Sequence, residues 1–214
     1  MTPLREEPDP SVATALVELG AATLGESGGL SMAARVRAAW HGACLAAPAY
    51  PVACTPGDNL AVHVAVAQAS AGRCLVVDVG DVPELGYWGE VLTTAAEARG
   101  LSGLVIDGGV RDVRALEAHG FPVFSTTVAL PGATKKGSGN VGAPVRVGGV
   151  MVSDGDWVVG DADGVTVVPA DRLDDVLAAG RARAEKEARF FAELRAGTTT
   201  LELLGLDPSP IEGA

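Results

Sequence analysis

Short apolar runs alternate with helical patterns through the middle of the chain, and this alternation constrains the fold more than any other feature. The runs are rich in Val, Leu and Ile, which predicts buried strands, and the segments between them have the apolar spacing of helices. Strands separated by helices pair in parallel, so the sequence predicts a layered α/β domain. The predicted strands are 52–54, 73–80, 104–107 and 121–127, and the predicted helices lie within 55–72, 89–100 and 113–119.

The N-terminal region predicts an arm followed by a helix. Residues 1–10 contain acids and prolines without apolar periodicity, which predicts a disordered arm. Residues 11–25 predict a helix with Ser11 as its N-cap. For the helix within 55–72, Asp58 and Asn59 are alternative caps.

From residue 148 onward the sequence pattern no longer alternates strands with helices. Residues 148–169 alternate short β runs with Asp-Gly turns, which predicts β-hairpins. A long helix is predicted from Asp171 to Arg195, and Thr199 and Glu202 form the capping box of a short helix after it. The chain is thus predicted as one domain over 11–206 with a tail at 207–214.

Charge and composition exclude several functional classes. The net charge is −11 and no cluster of Lys and Arg occurs, so nucleic acid is not an expected partner. No segment approaches the roughly 18 apolar residues of a membrane span, so no membrane partner is expected. The start has no apolar run typical of a signal peptide, and three cysteines fit a reducing compartment. We therefore expect a cytoplasmic protein.

Arg111 and Asp112 are adjacent where the strand predicted at 104–107 gives way, after two glycines and a valine, to a helix. In one interpretation they are a solvated pair, with Asp112 capping the helix that begins at residue 113. In the other they belong to a site, because functional groups collect beyond the carboxyl ends of parallel strands. The helix start at 86–92 follows the preceding strand and offers free amide groups to a carboxylate. Together these groups suit a 2-oxo acid chelated to a divalent metal.

Three segments, in the order found here, resemble the RraA-like family. They are "TPGDNLAVHVAVAQASAG", "GYWGEVLTTAAEARGLSGLVIDGGVRD" and "GDWVVGDADGVTVVP". The family includes class II 4-hydroxy-4-methyl-2-oxoglutarate aldolases, some of which also decarboxylate oxaloacetate. The resemblance extends from Ser11 to Leu206, and Gly-Gly-Val-Arg-Asp after a strand is its most specific part.

The resemblance implies a fold, an assembly and a set of site residues. The fold would be an α/β sandwich of the phosphohistidine-swivelling-domain type with a long C-terminal helix, in homotrimers or hexamers with sites between subunits. Asp112 would bind Mg²⁺ or Mn²⁺, and Arg111 would hold the oxo acid. Glu187, or alternatively Glu185, would approach the metal from a neighbouring subunit. The amides of the segment from Gly89 to Leu92 would hold the substrate carboxylate, and its members are Gly89, Glu90, Val91 and Leu92.

The expected reaction is retro-aldol cleavage of a 4-hydroxy-2-oxo acid to pyruvate, with decarboxylation of oxaloacetate as a second activity through the same enolate. No lysine has a sequence setting that suggests a Schiff base, so a metal is the expected electron sink. Arg111 would stabilise the enolate oxygen, and Glu90 is the nearest candidate base. The alternative function is that of the family members that bind and inhibit ribonuclease E without aldolase activity. The set of Glu90, Arg111 and Asp112 favours the enzyme.

Overall fold

The structure, a computed structural model, describes residues 9–211, which form a ten-stranded mixed sheet, a separate two-stranded sheet and six α-helices. The helices are α1 Pro10–Glu26, α2 Leu60–Gln68, α3 Glu90–Ala98, α4 Val113–His119, α5 Leu173–Arg195 and α6 Thr200–Leu204. The strands are β1 Leu30–Ser31, β2 Arg37–Ala38, β3 Leu45–Cys54, β4 Cys74–Asp78, β5 Gly86–Trp88, β6 Gly103–Val110, β7 Val123–Val128, β8 Gly139–Val141, β9 Val145–Val147, β10 Val150–Val152, β11 Trp157–Asp161 and β12 Gly164–Val168.

Four parallel strands form the centre of the sheet, in the order β3, β4, β6 and β7. Val77 lies opposite both Val52 and Ile106 in register, so apolar residues meet across three strands. One face of these strands packs against α2, α3 and α4 through residues such as Val62 and Leu116. The predicted layered α/β fold with a long C-terminal helix is therefore confirmed.

The other face of the sheet is covered differently. The β9–β10 hairpin and the segment around Met32 pack there against Val76, Val105 and Phe124. A third apolar cluster joins α1 to α5 and to the β11–β12 hairpin. The hairpin predicted around the turn at 161–164 is confirmed as the β11–β12 pair. The hairpin predicted around the turn at 153–156 is wrong, because β10 pairs with β9, while β11 pairs with β12 and β3.

Strand β3 is much longer than the strand end predicted at 52–54. It has ten residues, and it changes partner along its length. Its first part pairs antiparallel with β11, and its second part pairs parallel with β4. Pro48 and Pro51 lie within it and cannot donate to a ladder, which is why the pattern did not indicate a strand there.

Strand β6 continues to Val110, so the prediction that it ends at Asp107 is wrong. The extension pairs with β5, with Gly86 opposite Gly109 and Trp88 opposite Val110. A Cβ atom on Gly109 would lie 2.5 Å from the carbonyl oxygen of Leu85, so the absence of a side chain permits the close approach. The extension brings the segment that follows β6 beside β5.

The ends of the chain depart from prediction in two details. The helix predicted at 11–25 begins at Pro10 and is capped by Asp9, whose Oδ1 accepts a hydrogen bond of 2.8 Å from the amide of Ser11. Ser11 is therefore not the cap. Residues 1–8 of the predicted arm and 212–214 of the predicted tail lie outside the described residues. The capping box of Thr199 and Glu202 is confirmed.

In the part of the chain that the structure describes, no helix combines the length and the apolar character needed to cross a membrane.

Candidate active site

A cavity of about 180 Å³ opens where the first turns of α2 and α3 face the residues that follow β6. The segment after β7, around Gly132 and Lys135, closes another side. The site therefore lies beyond the carboxyl end of β6, as expected for a parallel sheet. The cavity is lined by Asn59, His63, Gly86, Tyr87, Trp88, Gly89, Val91, Leu92, Arg111, Asp112, Gly132, Ala133 and Lys135.

Arg111 enters the cavity beside β5. Its amide donates a 2.9 Å hydrogen bond to the carbonyl of Trp88, which holds the chain after β6 against the strand. Cβ atoms on Gly86 and Gly89 would lie 3.0 and 3.1 Å from the side-chain carbons of Arg111. These glycines leave the guanidinium stem room that larger residues would fill.

Asp112 is held in an unusual backbone conformation. Its φ of 58° is left-handed, a region that costs non-glycine residues of the order of 1 kcal/mol. Asp112 is the N-cap residue of α4, but within the described residues its carboxylate accepts no hydrogen bond from that helix. The interpretation that the Asp112 side chain caps α4 is therefore wrong. Instead its Oδ2 accepts a 3.1 Å hydrogen bond from the amide of Glu90, the first residue of α3. The carboxylate thus faces the first turn of the neighbouring helix.

The Gly89 to Leu92 segment forms the wall opposite Asp112. Gly89 has an extended backbone before α3, and a Cβ atom there would overlap Oδ2 of Asp112. Val91 and Leu92 line the cavity in the first turn of α3, where amide groups have no acceptor within the helix. These amides and the positive end of the helix suit a carboxylate of a ligand.

Glu90 lies in an adjoining groove rather than in the cavity wall. The groove has a volume of about 550 Å³ and shares Asp112 with the cavity. Here the Nε2 of His119 lies 3.8 Å from Oε1 of Glu90, and its Nδ1 lies 2.8 Å from Oε2 of Glu97. His119 is far from Glu90 in the sequence, and only the packing of α4 against α3 brings the two side chains together. The groove is lined by Glu90, Asp112, Val113, Arg114, Ala115, Ala118 and His119.

Asn59, His63 and Lys135 are among the cavity residues that sequence reasoning missed. Asn59 and His63 lie four residues apart on α2 and therefore on one face of the helix. Asn59 was considered only as a helix cap, and it occupies the N-cap position without a capping side-chain bond in the described structure. The spacing Asn-x-x-x-His at a helix start was the available signal.

Asp58 holds Lys135 at the cavity by organising the segment around it. Oδ2 of Asp58 accepts hydrogen bonds from Thr134 Oγ1 and from the amides of Lys136 and Gly137, at 2.7, 2.5 and 2.9 Å. Its Oδ1 accepts from the amide of Leu60 at 2.8 Å, so Asp58 supplies the side-chain bond at the start of α2. Burial of Asp58 acts to raise its pKa, but the four hydrogen bonds outweigh this and hold the pKa well below its usual value.

Lys135 therefore has a setting that its sequence neighbours did not indicate. It lies in the cavity wall, although no lysine has a sequence setting that suggests a Schiff base. The side chain is exposed, however, and it lacks the burial that makes Schiff-base lysines nucleophilic.

The two glutamates of the long helix that were expected at a site, Glu187 and Glu185, lie away from the cavity of their own chain. Glu187 lies on α5 and pairs with Nε of Arg183 at 2.8 Å, and Arg183 also pairs with Glu26. Over residues 9–211, neither Glu187 nor Glu185 lines the cavity or the groove. Their approach to the site of a neighbouring subunit stays a prediction.

The cavity has a carboxylate of the kind that hard divalent cations bind. Asp112 is the one acidic residue among the described residues that line it, and its side chain is 42% exposed. No group of three or more His, Cys, Asp and Glu side chains among the described residues is arranged to hold a metal. Mg²⁺ commonly binds through one or two carboxylates and keeps several waters, so a single carboxylate is compatible with it. Asp112 is the residue that would hold the ion.

Comparisons with known proteins show which family model and which named relative the chain matches. The family model described as RraA-like, Aldolase/RraA, matches residues 14–167. A protein of Halalkalibacterium halodurans that carries the provisional name 4-hydroxy-4-methyl-2-oxoglutarate aldolase is 40% identical over 143 residues. The matched region covers 66% of this chain and 68% of that protein.

Two solved structures with the same fold are named for inhibition of RNA processing or of an RNase, and not for aldolase activity. One is RraAS2 of Streptomyces coelicolor, described as an unusual member of the RNase ES inhibitor RraA protein family. It has a TM-score of 0.74 and 25% identity, and covers 88% of this chain and 100% of its own. The other is the RNA-processing inhibitor RraA of Thermus thermophilis, with a TM-score of 0.63 and 25% identity over 69% of this chain and 91% of its own.

Replacing Asp58 with Asn should loosen the segment that carries Lys135, in a way that depends on pH. Because the pKa of Asp58 is lowered on folding, its contribution to stability is complete above the unfolded value of 3.8 and is lost as pH falls below it. Urea unfolding of wild type and Asp58→Asn should therefore differ most at neutral pH, and the difference should shrink progressively as pH falls from 3.8 toward the lower folded pKa. The matched control is Asp163→Asn, in the β11–β12 turn, which should change stability by less than about 0.5 kcal/mol. A pH-independent difference for Asp58→Asn would contradict the role of its charge.

Proposed function

The chain belongs to the RraA-like family, and from this premise we propose that its cavity is the active site of a divalent-metal-dependent carbon–carbon lyase. The substrates would be 4-hydroxy-2-oxo acids of the 4-hydroxy-4-methyl-2-oxoglutarate type, cleaved by a retro-aldol reaction to pyruvate. The observation that carries the proposal is the convergence of three groups on one cavity. They are the guanidinium of Arg111, the carboxylate of Asp112 and the first turn of α3.

Each group has a distinct part in holding the substrate. The amides of Val91 and Leu92 would bind the C1 carboxylate at the positive end of α3. Arg111 would donate hydrogen bonds to the 2-oxo oxygen, and a planar guanidinium can contact two oxygens at once. Asp112 would hold Mg²⁺ or Mn²⁺, which would supply Lewis-acid stabilisation of the negative charge that develops on the 2-oxo oxygen.

The reaction requires a proton to leave the 4-hydroxyl group as the C3–C4 bond breaks. The bonding electrons pass into a pyruvate enolate, C4 leaves as a carbonyl, and the enolate then takes a proton at C3. Arg111 would stabilise the enolate oxygen by about 3–4 kcal/mol, as donors in oxyanion holes do. Glu90 remains our candidate for the base, since it lies at the groove that shares Asp112 with the cavity. Loss of CO₂ from oxaloacetate would form the same enolate, so we propose that reaction as a second activity.

We also propose that the active site is completed between subunits of a homotrimer or hexamer. Val91, which lines the cavity, is 77% exposed, and Leu130 after β7 is 82% exposed. Large exposed apolar side chains around a cavity favour burial by another chain. Glu187 of a neighbouring subunit, or alternatively Glu185, is our candidate for the residue that reaches Asp112.

Chelation tests the dependence on metal. EDTA should abolish pyruvate release from 4-hydroxy-2-oxo acids and from oxaloacetate, and Mg²⁺ or Mn²⁺ should restore it, because the electron sink would be lost and regained. Full turnover in EDTA would contradict the proposal. Borohydride trapping of Lys135 with pyruvate in the same samples would then indicate a Schiff base instead.

The rival function predicts a different result in the same assay. A regulator like the relatives named as RNase inhibitors would release no pyruvate from any oxo acid in the presence of Mg²⁺. It would instead bind and inhibit a ribonuclease E-type enzyme, measured by cleavage of an RNA substrate.

Arg111→Lys should lower kcat/KM by about 10²-fold or more. A lysine keeps the charge but cannot reproduce the two-point contact that stabilises the enolate. The control is Arg146→Lys in β9, whose guanidinium bonds to Gly149 O outside the cavity, and which should keep wild-type rates. If Arg111→Lys raises KM while kcat stays intact, the arginine binds only the ground state.

Mixed oligomers test the shared site. Glu187→Gln and Arg111→Ala should each be nearly inactive alone, and co-refolding should restore part of the activity, because some interfaces then pair an intact Arg111 with an intact Glu187. Native mass spectrometry would verify the mixing. Verified mixed oligomers without recovery would place Glu187 in its own subunit's site, and a fully active Glu187→Gln would remove it from the mechanism.

A further inference from the structure

Glu90, our candidate base, has an exposed side chain. That side chain is 58% exposed at the groove. A glutamate has three side-chain torsions, and solvent leaves them free to interconvert among several positions. A base must instead stay within hydrogen-bond reach of the proton that it removes. A contact that restricts the carboxylate of Glu90 therefore bears directly on the rate of the reaction.

The ring of His119 occupies a fixed position beside Glu90. His119 is the last residue of α4, and Gly120 ends that helix in the left-handed conformation, with a φ of 69°. Leu116, three residues earlier, is fully buried, so α4 is anchored in the core. The side chain of His119 is 26% exposed, less than half the value for Glu90. The fold therefore places the ring, whereas most of the Glu90 side chain lies in solvent.

Glu97 fixes the orientation of the ring. Nδ1 of His119 lies 2.8 Å from Oε2 of Glu97. A carboxylate only accepts hydrogen bonds, so Nδ1 donates in this one, and Nε2 is the atom that faces Oε1 of Glu90 at 3.8 Å. Glu90 and Glu97 are seven residues apart on α3, which is about two turns and places them on one face. His119 thus bridges two carboxylates of the same helix face.

The contact between His119 and Glu90 suits both states of a base. An imidazolium donates from Nε2 to the Glu90 carboxylate, and a neutral ring with its proton on Nδ1 accepts from a protonated Glu90. The distance of 3.8 Å is that of an ion pair and too long for a hydrogen bond. Contacts of catalytic groups are often long without a ligand and shorten in the complex. The ring can therefore hold Glu90 before and after it takes up a proton.

From these contacts we propose that His119 is a positioning residue for the retro-aldol step. It holds the carboxylate of Glu90 at the groove that shares Asp112 with the cavity, and Glu97 holds the ring of His119. As the C3–C4 electrons enter the enolate, the 4-hydroxyl proton passes to a carboxylate oxygen of Glu90. His119 contacts no reacting atom and acts through Glu90. The inference rests on the proposed function, and within it on Glu90 as the base.

Decarboxylation of oxaloacetate is the internal control for this role, because it forms the same enolate without removing a proton from a hydroxyl group. His119→Asn should lower kcat for cleavage of 4-hydroxy-4-methyl-2-oxoglutarate by about 10-fold, part of the roughly 10²–10⁴-fold that a general base contributes. KM for cleavage and kcat for decarboxylation should each change by less than about 2-fold, because substrate binding and the electron sink are untouched. Equal losses in both reactions, or an unchanged rate of cleavage, would overturn the proposal.

Two amide variants separate the two nitrogens of the ring. The amide of an asparagine at position 119 replaces Nδ1 and keeps a donor for Glu97, while that of a glutamine replaces Nε2 and keeps a donor for Glu90. His119→Gln should therefore retain cleavage within about 3-fold of wild type, and His119→Asn should not. The reverse order would overturn the proposal. His41→Asn is the matched control, since His41 is exposed and lines neither the cavity nor the groove among the described residues. It should leave both reactions unchanged.

Glu90→Gln distinguishes a failure of this inference from a failure of the proposed function. A base at Glu90 predicts that this variant slows cleavage selectively, and that adding His119→Asn to it lowers the rate no further. An additional loss in the double variant would overturn the role of His119 while the base stands. If Glu90→Gln cleaves at the wild-type rate, the base assignment and the role of His119 in catalysis are overturned together.

A measurement without substrate or metal tests the contact itself. NMR relaxation of the Glu90 side-chain carbons in ¹³C-labelled protein should show greater motion on the ps–ns timescale in His119→Asn than in wild type or His41→Asn. Equal motion in all three proteins would overturn the contact. If wild type releases no pyruvate from either substrate, the proposed lyase fails, and this measurement decides whether His119 positions Glu90.

Discussion

The short strand β5 is the element on which the site depends, because both walls of the cavity are hydrogen-bonded to it. The carbonyl of Trp88 accepts from the amide of Arg111, and the carbonyl of Tyr87 accepts from the side chain of Asn59. Successive carbonyls of a strand point in opposite directions, so β5 holds the residues after β6 on one side and the start of α2 on the other. Gly109 makes this possible, since a side chain there would meet the backbone before β5.

Contacts around the cavity place two cationic side chains there, Arg111 and Lys135, although the net charge of the protein is −11. Glycines at 86 and 89 leave space for Arg111, while the hydrogen bonds of Asp58 fix the segment that carries Lys135. Two positive groups then meet a helix start whose dipole is also positive. A small anion is therefore attracted to the cavity even though the net charge of the chain would repel it at a distance.

The fold alone does not distinguish a lyase from a regulator. Relatives named for aldolase activity and for RNase inhibition share this chain's family and architecture, and a fold hosts many functions. The distinction must come from side chains, and Arg111 and Asp112 at a concave cavity are groups that chemistry on an oxo acid would use. The left-handed conformation of Asp112 supports this, because it aims the carboxylate at the neighbouring helix rather than at its own.

The sequence by itself determined the order of β4, α3, β6, α4 and β7, the β11–β12 hairpin and the bounds of α4, but it predicted a helix start at 86–92 where β5 precedes the helix. Each of these follows from local periodicity or turn chemistry, which nearby residues settle. It also indicated Arg111, Asp112 and the start of α3, since all three lie at the ends of predicted elements. Only the tertiary structure decided that β6 continues to Val110, that Asp112 bonds to Glu90 rather than capping α4, and that Lys135 and His119 lie at the site. Those features depend on contacts between residues more than 20 positions apart, and such contacts leave no periodic pattern in the chain.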